Sequence, residues 1–126
     1  MSDVDRPAVL VIDDDTAVRH TLAAMVEQIG YAARIAASGD EGLREYDRHR
    51  DRIAAVLLDV QMPGMDGPQT LAELRVRNPS VPCVFVTGHS PNYSQDELAG
   101  WGATVLLKPI TVDQLGRAIR AATGRE

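Results

Sequence analysis

Ala8-Val-Leu-Val-Ile12 is an unbroken apolar run, and Asp13-Asp-Asp15 follows it with no spacer. A short continuous run of aliphatic residues suits a strand buried on both faces, as in a parallel sheet. Four more runs recur down the chain: Ala32 to Ala36, Ala54-Ala-Val-Leu-Leu58, Val81 to Val86 and Val105-Leu-Leu107. Arg34 interrupts the second of them, which fits a strand at the edge of the sheet.

Helical patterns lie between the runs. Val18, Leu22, Met25, Val26 and Ile29 recur at the spacing of one helix face, and Gly30 stops it. Ser38-Gly-Asp-Glu41 reads as a capping box opening a second helix that runs to about Arg48. Pro68 to Arg77 forms a third, with Asp66 as its cap and Asn78-Pro79 as its stop. Ser94 to Gly100 makes a short fourth. Thr111-Val-Asp-Gln114 is another capping box, and Val112, Leu115, Ile119 and Ala122 mark the inner face of the last helix. Strand and helix thus alternate five times, the pattern of an α/β parallel sheet with helices on both faces and right-handed crossovers.

The 126 residues fit one domain, read as 8–123 between tails at 1–7 and 124–126. At 44% apolar and 25% charged, the composition excludes a disordered chain, a collagen-like repeat and a disulfide scaffold. No apolar run approaches the ~20 residues of a membrane span. Residues 1–7 lack the basic start and apolar stretch of a signal peptide. Cys83, the one cysteine, sits in an apolar run and reads as a reduced, buried thiol of a cytoplasmic protein. The net charge of −5 and the scattered basic residues argue against direct contact with nucleic acid.

Polar residues collect where the strands end. Asp13 and Asp14 follow the first strand, Asp59 the third, Thr87 closes the fourth and Lys108 follows the fifth. In a parallel sheet all strand carboxyl ends share one edge, and ligands of open α/β sheets bind there. Several carboxylates brought together repel, and one of them tends to hold its proton. A divalent cation removes that conflict, and carboxylates with water suit Mg²⁺. An ionised Asp is also a nucleophile able to form an aspartyl phosphate. Phosphoryl transfer needs positive charge at the equatorial oxygens, which Mg²⁺ and a lysine supply, and a threonine hydroxyl adds a hydrogen bond. Gly88, after Thr87, leaves room for the phosphoryl group.

Four stretches together resemble the receiver domain of two-component response regulators: Val9-Leu-Val-Ile-Asp-Asp-Asp15, Leu57-Leu-Asp-Val-Gln-Met-Pro-Gly-Met-Asp-Gly67, Val84-Phe-Val-Thr-Gly88 and Leu107-Lys-Pro109. The resemblance covers about residues 8 to 123, in the right order and spacing. It implies a flavodoxin-like (βα)5 three-layer sandwich with strand order 2-1-3-4-5. It implies that Asp59 accepts the phosphoryl group from a histidine kinase or a histidine phosphotransfer protein. Asp13, Asp14, Asp59 and the backbone carbonyl of Gln61 would then hold Mg²⁺. Thr87 and Lys108 would bind phosphoryl oxygens, and Lys108-Pro109 would be cis. The Gln61 side chain and His89 are candidate modulators of hydrolysis. Such a domain is a switch more than an enzyme, its only catalysis being its own Mg²⁺-dependent phosphorylation and dephosphorylation. It is either a stand-alone regulator or the receiver of a hybrid histidine kinase. With the chain filled by the receiver, the signal is expected to pass by protein contact, or the domain to serve as a phosphate sink or relay.

Blander roles fit other residues. Asp15 and Asp66 read as helix caps, Met62 and Met65 as shapers of the loop after Asp59, His20 and His49 as surface residues, and Trp101 as a loop anchor. One position departs from the family pattern. Many receivers carry a Tyr or Phe three residues before the lysine, and here that residue is Val105. Two rival functions remain. One is an aspartate-nucleophile phosphatase of the haloacid dehalogenase type, which would use Asp13; Asp15 fits its motif and Ala17 does not. The other is a binding module that never sees phosphate.

Overall fold

The computed structural model describes residues 6–88 and 92–124. Five strands alternate with five helices: β1 (Ala8–Ile12), α1 (Thr16–Ile29), β2 (Ala32–Ala36), α2 (Gly39–His49), β3 (Ile53–Leu58), α3 (Gly67–Arg77), β4 (Cys83–Thr87), α4 (Gln95–Ala99), β5 (Thr104–Leu107) and α5 (Val112–Thr123). All neighbouring strands are parallel, in the order β2-β1-β3-β4-β5. This is the flavodoxin-like arrangement.

The continuous apolar runs explain the layers. Successive residues of a strand point to opposite faces. Val9 and Val11 join Leu22 and Val26 of α1 and Leu115, Ala118 and Ile119 of α5 on one face. Leu10 and Ile12 join Leu43 and Tyr46 of α2, Leu71 and Leu74 of α3 and Leu98 of α4 on the other. The five residues of β1 are all buried, so neither face tolerates a polar residue there. Each of its Val, Leu and Ile side chains contributes roughly 1.5–3 kcal/mol. Edge strand β2 is only half-buried. Its Arg34 is satisfied from the side: Nε donates to Glu45 Oε2 at 3.1 Å and Nη2 lies 2.7 Å from His49 Nε2. His49 is therefore half-buried in a cross-element cluster rather than free on the surface.

The helix starts follow the expected caps, with one difference. Asp15, Ser38, Asp66 and Thr111 cap α1, α2, α3 and α5. At α2 the box is not reciprocal: Ser38 accepts from Glu41 N, but the Glu41 carboxylate takes the Ala37 N–H instead of the Ser38 N–H. The short α4 carries a full capping box of its own, Ser94 with Glu97. Two glycines set how closely helices approach. A Cβ on Gly42 would collide with the Ile12 side chain under α2. A Cβ on Gly67 would sit 2.5 Å from the Asp59 carbonyl oxygen and 2.7 Å from Val60 Cα. The start of α3 therefore lies directly on the peptide after Asp59. No helix among the described residues is long and apolar enough to cross a membrane.

Candidate functional site

The backbone ladder assembles the site before any side chain does. The Asp59 N–H donates to the Ile12 carbonyl at 3.0 Å, which sets Asp59 beside Asp13. The Lys108 N–H donates to the Thr87 carbonyl at 2.8 Å, which sets Lys108 beside Thr87. Four segments distant in sequence thus end at one edge of the sheet.

The side chains complete it. Asp13 is buried, and Lys108 Nζ lies 3.1 Å from its Oδ2 and 3.7 Å from Asp59 Oδ1. The other Asp13 oxygen accepts from Asp15 N at 2.9 Å. Arg19 Nη1 donates to the Asp13 carbonyl at 2.9 Å, and its Nη2 to Thr16 Oγ1 at 3.4 Å, which ties the loop after β1 to α1. Asp59 Oδ1 accepts from Val60 N at 2.9 Å. Asp14 is exposed, and carboxylate oxygens of Asp13, Asp14 and Asp59 lie within 4.8 Å of one another. Lys108 is the chain's only lysine; the other basic residues counted with it are arginines. The Lys108-Pro109 peptide bond is cis.

Burial first, and the Asp13 charge second, push the Asp59 carboxyl from its usual 3.8 up to about 6; Lys108 and the Val60 N–H pull it down. A group of hard oxygen donors held close, one of them reluctant to ionise, is compatible with a small divalent cation. Thr87 supplies the second clue. It is buried, and its Oγ1 has no hydrogen-bond partner among the described residues. A buried hydroxyl without a partner costs roughly 1–3 kcal/mol, so a built position of this kind suits an incoming acceptor oxygen. Among the described residues, leaving out its chain neighbours, no atom stands within 4 Å of where a Cβ on Gly88 would be.

The remaining expected residues sort as follows. Gln61 is exposed and lines a polar cleft of about 230 Å³ with Asp66, Asn92 and Tyr93. His89 lies outside the described residues. Asp15 is a cap, accepting from Val18 N at 3.0 Å. Met62 is buried in the core, and Met65 and Trp101 pack against it. Val105 stands half-buried on the same cluster. Sequence reasoning missed Tyr93, whose hydroxyl donates to Asp66 Oδ2 at 2.8 Å and whose own proton is thereby held more tightly. No periodic signal marks a lone tyrosine in a polar loop.

Comparison with known proteins agrees with this geometry. A family model described as the response regulator receiver domain matches residues 9–120. The chain is 33% identical over 113 residues to sensor kinase CckA of Brucella abortus (strain 2308), covering 89% of this chain and 12% of that protein. It is 34% identical over 120 residues to the transcriptional regulatory protein ZraR of Escherichia coli O157:H7, covering 94% of this chain and 26% of that protein. The chain thus spans a small part of the curated relatives it matches. Among solved structures, a response regulator receiver domain protein from Clostridium thermocellum superposes with a TM-score of 0.86 at 29% identity, covering 94% of each chain. The response regulator TrrA from Thermotoga maritima, solved in complex with Mg²⁺-BeF, gives 0.80 at 25% identity, covering 92% of this chain and 98% of that one. The haloacid dehalogenase alternative is overturned by the family match. Strand order, edge chemistry and relatives converge, and the chain belongs to the response regulator receiver domain family of two-component systems.

Proposed function

We propose that this receiver accepts a phosphoryl group on Asp59 from a phosphohistidine of a histidine kinase or phosphotransfer protein. The observation that carries the reading is the buried Thr87 Oγ1, without a partner among the described residues, on the same sheet edge as Lys108 and the Asp13, Asp14 and Asp59 carboxylates. An Asp59 carboxylate oxygen attacks phosphorus, the P–N bond breaks, and the imidazole nitrogen keeps the electron pair. Lys108 Nζ, already 3.7 Å from Asp59, turns to a phosphoryl oxygen, and the Thr87 hydroxyl donates to another. Asp13, Asp14, Asp59 and the Gln61 carbonyl would hold Mg²⁺, which when bound supplies further positive charge at those oxygens. An apolar groove of about 300 Å³ between α1 and Lys108-Pro109-Ile110, lined by Val18, Leu22 and Met25, reaches the site at Lys108 and suits a helix of the phosphodonor. The acyl phosphate then biases a pre-existing surface equilibrium that a downstream protein reads. The domain is a signalling module, and its turnover is limited to its own phosphorylation and hydrolysis.

The test is intact mass after incubation with acetyl phosphate, with and without Mg²⁺, on wild type and Asp59→Asn. The expected result is a Mg²⁺-dependent phosphoryl adduct that the variant lacks. Should small donors be refused, beryllofluoride binding is measured with Mg²⁺ present. Absence of both adduct and beryllofluoride binding returns the chain to the non-phosphorylated binding module.

A further inference from the structure

Tyr93, like Trp101 and Val105, packs against the buried core cluster that contains Leu98. Its hydroxyl crosses to Asp66 Oδ2 at 2.8 Å. Asp66 is already committed at three points. Its Oδ1 caps α3 through Gln69 N at 2.9 Å, its N–H donates to Gln69 Oε1 at 3.0 Å and its carbonyl accepts from Thr70 Oγ1 at 2.7 Å. The next residue, Gly67, donates to the Val60 carbonyl at 2.8 Å and lies on the Asp59 carbonyl. The bond from Tyr93 therefore ties the segment after Thr87 to the loop after Asp59. On its other side, Tyr93 directly precedes Ser94, the cap of α4.

Helix α4 has few other anchors. It is 5 residues long, and Leu98 is its one buried side chain. A helix so short is not stable by itself, and elements with so little buried apolar surface open first.

We propose that the Tyr93–Asp66 hydrogen bond is a latch that holds α4 in its unphosphorylated position. The inference rests on the phosphoacceptor reading of Asp59. The bond stabilises the state in which it forms. Drawing Thr87 toward a phosphoryl group on Asp59 displaces the end of β4, opens the bond and frees α4 for a protein partner. A ligand that selects the open state binds more weakly while the latch is closed. Tyr93 acts here as a positioning residue, since it touches Asp66 and not the reacting atoms.

The test uses the full chain, with beryllofluoride and Mg²⁺ as the probe. Binding is read from the fluorescence of Trp101, the only tryptophan, which packs in the same cluster. Hydrogen exchange is followed at the amides of Gln95 to Ala99. Tyr93→Phe removes only the hydroxyl. It should bind beryllofluoride about 3- to 10-fold more tightly, the worth of an ordinary, partly solvated hydrogen bond. Its α4 amides should exchange fast without ligand, whereas wild type reaches that rate only with beryllofluoride bound. Asp66→Ser keeps one oxygen for the cap, loses the one that Tyr93 reaches, and should give the same pair of changes. Combining the two variants should add nothing further. Equal beryllofluoride affinity and equal α4 exchange in wild type and Tyr93→Phe overturn the latch alone. Failure of the wild-type chain to bind beryllofluoride overturns the phosphoacceptor reading and the latch with it.

Discussion

Replacing Asp59 by asparagine should make the domain more stable, although it removes the proposed phosphoacceptor. The side chain is 10% exposed and close to the Asp13 carboxylate, and its proton is held up to about 6 against the usual 3.8. That difference corresponds to roughly 3 kcal/mol by which the folded chain disfavours the ionised form. Asparagine keeps the shape, and its oxygen can still accept from Val60 N. Lys108 loses its more distant partner and keeps Asp13 at 3.1 Å. The expected gain is about 2–3 kcal/mol at pH 8, or about 5–10 °C in Tm for a domain of this size. Its pH dependence has a definite sign. Between pH 3.8 and about 6 the folded chain binds the Asp59 proton more tightly than the unfolded chain does. Wild-type stability therefore falls as pH rises through that window, and the penalty is complete above about 6. The advantage of Asp59→Asn should be full at pH 8, shrink below pH ~6 and vanish near pH ~4. Thermal melts of both proteins at several pH values without Mg²⁺ test this. Adding Mg²⁺ should narrow the gap by stabilising wild type. Equal Tm values at pH 8 would refute the reasoning. So would a gap of the same size at pH 4, which would place its origin in packing rather than charge.

Lys108→Met leaves the buried Asp13 carboxylate without its cation. It should cost about 1–3 kcal/mol at neutral pH, below the usual loss for a fully buried pair because the lysine is 25% exposed, and Mg²⁺ should restore part of it in thermal melts. Gly67→Ala forces a Cβ to within 2.5 Å of the Asp59 carbonyl oxygen, a backbone atom that cannot step aside. A loss of about 1–3 kcal/mol in urea unfolding is expected, and an unchanged midpoint would contradict the contact. The Cys83 thiol is buried, and that burial pushes it up to about 12. Disulfide exchange with a soluble aromatic disulfide should therefore proceed only through large-scale opening and track urea concentration; prompt labelling in native buffer would contradict its burial.

Much of the site was legible because it hangs on strand ends. Once Ala8–Ile12 and Ile53–Leu58 are strands of one parallel sheet, Asp13 and Asp59 have to meet, and the Asp59 N–H to Ile12 carbonyl bond is that meeting. Caps were legible for a similar reason, since Asp66 and Thr111 act on residues three positions away. Contacts between elements without periodic spacing were not legible. Arg34 meets Glu45 and His49 across the edge of the sheet, a pairing set by how α2 lies over β2 rather than by any local pattern. Glu41 reaching past Ser38 to the Ala37 N–H is a choice between adjacent donors that only the entry angle of the chain decides. Tyr93 bridges 27 residues back to Asp66, and one tyrosine among polar neighbours does not announce such a reach.

The single lysine has a consequence outside phosphoryl chemistry. Every other basic side chain counted with it is a guanidinium, which amine-selective reagents leave alone. Lys108 Nζ, 25% exposed at the mouth of the acidic cluster, is thus the one side-chain amine of the molecule. A reagent that acylates or carbamylates lysine meets no second side-chain amine here, and its one competitor is the α-amine. Any such adduct on a side chain removes the charge that Asp13 and Asp59 rely on, and it also marks that one position with an isotope, a dye or a cross-linker.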